Sequence, residues 1–122
     1  MIALILVNIL NSTDSRGKEP TIDEIVKFSF DTPEITTNLL SNDFARMKFR
    51  IQVDNKKALK EIQKRDFQID NIIIRELAGM KSSDLQSAEG IEQLETRLKM
   101  RINELMQEGI VVQVYTRERM IQ

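Results

Sequence analysis

Asp66 and Asp70 stand four positions apart, one turn of a helix, and are the nearest approach to a chemical pair in this sequence. Carboxylates at that spacing can share a hard cation. No third ligand stands close to them in sequence, so they read as part of a solvated helix face. Tyr115, the single tyrosine, lies in an apolar-rich segment and reads as a packing residue. The chain has no cysteine and no histidine. Thiol nucleophiles, cysteine-type zinc sites, imidazole bases and Ser–His–Asp triads are thereby excluded together. Gly17, Gly79, Gly90 and Gly109 form no phosphate-cradling motif. The expectation is a protein that is not an enzyme, with no catalytic residue, no cofactor and no metal.

Binding is better represented than chemistry. Arg46, Lys48, Arg50, Lys56, Lys57, Lys60, Lys64 and Arg65 fall in one stretch, opposed there only by Asp54 and Glu61. Such a stretch can hold phosphates, which makes a cytosolic nucleic-acid-binding module using residues 46–65 the alternative function. An RNA-reading strand also needs aromatics side by side on its exposed face. Phe44 and Phe49 instead fall on opposite faces, and there is no GXXG loop. No nucleic-acid partner is therefore expected. Acids gather elsewhere, at Asp23, Glu24, Asp31 and Glu34 and again from Glu89 to Glu108. A domain with one basic and one acidic side suits packing against copies of itself or a partner. Arg50, Lys56 and Arg65 against Glu92 and Glu95 are the candidate protein-contact residues.

These residues need elements to carry them. Thr21 can cap a short helix over "IDEIVKFSF", with Ile22, Ile25, Val26 and Ser29 on one side. Pro33 stops it, and Glu34–Leu40 is β-prone. Beyond a turn at Leu40–Asp43, Ala45, Met47, Phe49, Ile51 and Val53 alternate with Arg46, Lys48, Arg50 and Gln52. Strict period two marks a strand with one buried face, and the two segments predict an antiparallel hairpin. Asp54 or Asn55 caps a long helix whose stripe runs from Ala58 to Leu77, with an offset near Arg65–Phe67. Lys57–Glu61 and Glu61–Arg65 are pairs at i,i+4, each adding about 0.2–0.5 kcal/mol. Gly79 ends this helix, Ser87 caps the next, and Gly109 occupies the expected C′ position. "IVVQVYTRERMIQ" is again β-like. The predicted fold class is α+β, a small antiparallel sheet with two long helices packed on one face.

At 122 residues, 41% hydrophobic and 30% charged, the chain has room for one core. Its net charge of −1 makes it no electrostatic partner as a whole. "MIALILVNIL" is apolar apart from Asn8. As a helix it would reach about 15 Å, half of the roughly 30 Å bilayer core. Residues 1–10 are expected to be the remnant of an N-terminal transmembrane helix, and the polar "NSTDSRGKEP" at 11–20 a linker.

"EPTIDEIV", "PEITTNLL", "FRIQVDNKKALKEIQKRDFQIDNIIIREL" and "SSDLQSAEGIEQLETRLKMRINELMQEGIVVQVYTRERMIQ" resemble, in order and spacing, the extracytoplasmic domain of the FliL family, nearest in style to its Gram-positive members. The resemblance runs from about Glu19 to Gln122 and rests on collinearity, since no single motif is catalytic. It implies that 21–122 is a FliL-type extracytoplasmic domain with a stomatin-like (SPFH) fold, in a single-pass cell-membrane protein at the flagellar basal body. It further implies a non-enzymatic motor accessory that supports stator units in motility. Its partners would be MotA/MotB-like stator proteins, basal-body components and copies of itself in a ring. Two departures stand out: the span is represented only by Met1–Leu10, and "YTRERM" is more charged than the family's usual last strand. Arg117, Glu118 and Arg119 would either fray an edge strand or meet a neighbouring protomer.

Overall fold

A strand with alternating Ala45, Met47, Phe49, Ile51 and Val53 is stable only if that side is covered, and these residues lie at the centre of the core, none more than 2% exposed. The computed structural model describes residues 19–122. The predicted membrane remnant at 1–10 and all but the end of the linker at 11–20 lie outside the described residues.

The architecture is α+β. Helix α1 (Ile22–Lys27) leads into β1 (Ser29–Asp31), β2 (Ile35–Asn38) and β3 (Phe44–Val53). Four helices follow, α2 (Lys56–Lys64), α3 (Asp66–Ala78), α4 (Ser82–Gln86) and α5 (Ala88–Asn103), and β4 (Val111–Ile121) closes the order. Every pairing is antiparallel and every strand pairs with β3. β2 meets β3 through the predicted turn, with Ile35 opposite Met47, while β1 pairs farther along with Phe30 opposite Ile51. β4 runs along the other edge of β3 from Ile121 opposite Ala45 to Val111 opposite Val53.

Between β1 and β2 the ladder is interrupted at Thr32–Glu34, next to a proline that could not donate to it. Thr32 bridges the gap. Its amide donates to the Phe49 carbonyl at 2.9 Å, and its hydroxyl accepts from the Phe49 amide at 3.0 Å. Thr32 is accordingly buried.

The helices add Ala58, Ile62, Ile69, Ile73, Leu77, Leu85, Leu94, Leu98 and Ile102 to the same core. The predicted first long helix is two. Arg65 leaves helical geometry at φ −92°, ψ 14°, and its amide is shared between the Glu61 and Ile62 carbonyls. The offset seen at Arg65–Phe67 is this break, which lets Ile62 and Ile69 both face inward. Between Gly79 and Ser87 the chain forms α4, whose Leu85 is fully buried.

Three expectations need correction. α1 forms, with Thr21 accepting from the Glu24 amide and Glu24 accepting from the Thr21 amide. It stops at Lys27 and does not run on through "FSF", since Ser29 and Phe30 belong to β1. Of the residues expected on one side, Ile22 is 70% and Val26 52% exposed. Gly109 is no C′ residue, because α5 ends at Asn103. The Asn103 side chain clamps Val111 instead, accepting from its amide at 2.7 Å and donating to its carbonyl at 3.1 Å. Finally, Lys57 and Glu61 form no ion pair, whereas Glu61 and Arg65 do, at 2.9 Å.

Gly109 serves the loop between α5 and β4. A Cβ there would stand 2.4 Å from Asn55 Nδ2 and 2.5 Å from Asp54 Oδ1, with the backbone at φ 156°. Both side chains are engaged, Asp54 at the Ile110 amide and Asn55 at the Ala58 amide, and the buried Ala58 Cβ would stand 2.8 Å away. Gly109→Ala is therefore expected to lower stability by about 1–2 kcal/mol, read as a smaller urea midpoint at unchanged slope.

Candidate docking surfaces

The side of β3 away from the core carries Arg46, Lys48, Arg50 and Gln52. Arg50 is held by Asp31 on β1, with Nε–Oδ1 at 2.6 Å and Nη2–Oδ2 at 2.9 Å. Arg117 on β4 joins the same carboxylate at 3.0 Å. The bond from Arg50 draws the Asp31 pKa below its ordinary value against the opposing effect of burial, and the charges of Arg50, Arg117 and Lys48 add to it. Asp31 in turn raises the Arg50 pKa, first through the hydrogen bond. Tyr115 lies beside this cluster and donates to Gln52 at 2.8 Å, so its hydroxyl serves the sheet surface. These ion pairs are partly solvated and contribute little to stability.

The two arginines of "YTRERM" are bound within the domain. Arg117 reaches Asp31, Arg119 donates to the Leu85 carbonyl at 2.8 Å, and Glu118 lies opposite Lys48. β4 pairs with β3 on both sides of Arg117, which itself has no opposite residue because the register shifts between Lys48 and Phe49.

Among the five candidate contact residues, three already have internal partners. Arg50 is bound to Asp31, and Arg65 donates to Glu61 and to Gln68. Glu95 accepts from both the amide and the hydroxyl of Thr116, at 2.9 and 2.8 Å. Lys56 and Glu92 are exposed and have no ion-pair partner among the described residues. The structure also divides the basic stretch. Arg46, Lys48 and Arg50 belong to the open side of β3, while Lys57, Lys60 and Lys64 line a cleft with Phe67 and the loop at Gln107–Glu108.

Glu61 lies at the back of that cleft with its side chain 10% exposed. Its carboxylate accepts from the amides of Gln107 and Glu108 at 2.9 and 2.8 Å and from Arg65 Nε at 2.9 Å. Burial alone would raise its pKa. The Glu108 and Gln107 amides and then Arg65 outweigh that, and the value lies below the ordinary one. Nothing local in the sequence signals this role, since the amides it binds are more than 40 positions away. Asp54 does similar work, accepting from the Ile110 amide at 3.0 Å, while Asn55 takes the cap by accepting from the Ala58 amide.

On α3, Asp66 accepts from the Phe67 amide at 2.7 Å. Asp70 has one buried oxygen without a partner, and its pKa is raised first by burial and then by Asp66. Burial and the neighbouring Asp66 charge both disfavour the ionised form of Asp70. Among the described residues no group of three or more His, Cys, Asp or Glu is placed to hold a metal ion. Glu76, inside the predicted stripe, is bound by Arg97 at 2.7 Å and Arg101 at 2.6 Å, tying α3 to α5.

A family model described as flagellar basal body-associated protein FliL matches residues 29–122, nearly the whole folded unit. The chain is 40% identical over 104 residues to the flagellar protein FliL of Bacillus subtilis (strain 168), covering 85% of this chain and 74% of that one. It is 35% identical over 79 residues to the flagellar protein FliL of Aquifex aeolicus (strain VF5), covering 65% of this chain and 49% of that one.

Proposed function

Since the chain belongs to the FliL family of flagellar basal body-associated proteins, we propose that it works by binding, as a non-enzymatic accessory that docks on stator units and supports them in motility. The observation that carries this is the collinear match over residues 29–122. It coincides with a domain in which Asp31, Glu61, Glu76 and Glu95 are bound by other groups of the same domain. Attachment to the cell membrane would be on the N-terminal side, with the domain outside the cytoplasm. Among the described residues no helix is long and apolar enough to cross a membrane. A helix layer over an antiparallel sheet is compatible with the stomatin-like relation proposed for this family.

We further propose that copies assemble side by side in a ring. Lys56 and Glu92 are the residues of the candidate set still available for such a contact. The test is in-cell crosslinking of the full-length protein, with partners identified by mass spectrometry. Recovery of stator and basal-body proteins, with self-crosslinks weakened by Lys56→Glu or Glu92→Lys and restored in the double variant, is the expected result. Recovery of ribosomal or nucleic-acid-associated proteins alone would overturn the motor assignment in favour of the basic-stretch alternative.

A further inference from the structure

Lys57, Lys60 and Lys64 follow one another at three and four positions along α2, so their ammonium groups form a ladder on one flank of the helix. All three are exposed, and none has an ion-pair partner among the described residues. The one carboxylate on α2 pairs with none of them, because Glu61 is bound to two loop amides and Arg65. The ladder forms one wall of a cleft of about 500 Å³. Phe67, 68% exposed, stands at the end of this cleft and also lines a second hollow of about 450 Å³ with Ile72 and Leu105. The two hollows share Phe67 and Gln68 and make one groove, basic at one end and more apolar beyond the phenylalanine.

We propose that this groove is the docking site for an acidic amphipathic helix of a partner protein. Three- and four-residue steps place the lysines about 4.5 and 6 Å apart along α2. Glutamates at the same steps on a second helix match them, whereas alternate residues of an extended strand advance about 6.8 Å. The apolar side of that helix would cover Phe67 and reach toward Ile72 and Leu105, the groove mode of helix recognition. Glu108 lines the first hollow and Glu104 the second, where Arg101 is bound to Glu76, so the charge of an acidic partner must lie toward α2 to avoid them. A flat anionic membrane fits less well, because the apolar residues Ile72 and Leu105 line a hollow between α3 and the end of α5. This site involves none of the five contact residues except Arg65, and it stands whether or not the partner belongs to the motor.

The test uses the full chain and a fluorescein-labelled synthetic helical peptide with Glu on one side and Leu on the other, read by anisotropy. Binding should weaken with rising salt. Triple reversal of Lys57, Lys60 and Lys64 to Glu should weaken it about tenfold or more, and Phe67→Ala about fivefold. These side chains are exposed and the lysines have no ion-pair partner among the described residues, so circular dichroism should report an unchanged fold. Equal binding of a matched Lys/Leu peptide, or indifference to both variants, would overturn the proposal. So would lysine-dependent binding to phosphatidylglycerol vesicles, or lysine-dependent self-association, without peptide binding.

Discussion

Gly90→Ala is expected to destabilise the domain by about 2–4 kcal/mol, lowering the melting temperature by on the order of 10 °C. Helix propensity alone predicts the opposite, because alanine is favoured over glycine within a helix by about 1 kcal/mol. The sign is decided by space. A Cβ on Gly90 would stand 1.8 Å from the carbonyl oxygen of Asp84 and 2.7 Å from its carbonyl carbon. Those are backbone atoms of α4, so relief requires moving the helix and not turning a side chain. α4 cannot move freely, since Leu85 is fully buried, its carbonyl receives Arg119, and Ser87 ties Asp84 to the Gly90 amide. Thermal melts give the magnitude, and hydrogen exchange should show α4 opening before α5. A melting point equal to or above wild type would mean that α4 shifts at no cost, and the close approach would not be what requires glycine.

Ser87 can be read from the sequence as a cap, but the need for glycine at position 90 cannot. The cap is local, whereas the glycine answers to a carbonyl that only tertiary packing brings near. The same division holds elsewhere. β3 could be read because period two with five apolar residues has one physical meaning, and its partner β2 followed from the turn at Leu40–Asp43. The α2–α3 break left a trace as a phase offset in the stripe. α1 misled, since its helical spacing was real but β1 begins two residues after it ends, leaving Ile22 and Val26 outside the core. At the surface, charge type could be read and charge pairing could not. Arg50, Arg65 and Glu95 look like free contact residues until Asp31, Glu61 and Thr116 are placed beside them.

Replacing Glu61 should separate the two uses of α2. Glu61→Ala removes the acceptor for the Gln107 and Glu108 amides and for Arg65. Gln107 and Glu108 are exposed, so water can replace part of what is lost, and the expected destabilisation is about 2 kcal/mol. Glu61→Gln keeps one oxygen as acceptor and should lose less. The folded-state pKa of Glu61 lies below its ordinary value, so the unfolded chain binds more protons between the two. Its contribution is therefore complete above the ordinary glutamate range and is lost as pH falls through the folded-state value. The gap in melting temperature between wild type and Glu61→Gln should thus be widest near neutral pH and shrink on acidification. Asp31, also lowered, titrates in both proteins and cancels from that difference. The same Glu61→Gln exchange removes a negative charge from the back of the lysine-lined cleft. It should make the domain less stable yet bind the acidic probe peptide more tightly, about two- to fivefold at low salt. A variant that lost both stability and peptide binding would show that the lysine ladder depends on the shape Glu61 maintains. One that lost stability and gained binding would show that Glu61 holds the loop while the lysines are left to the partner.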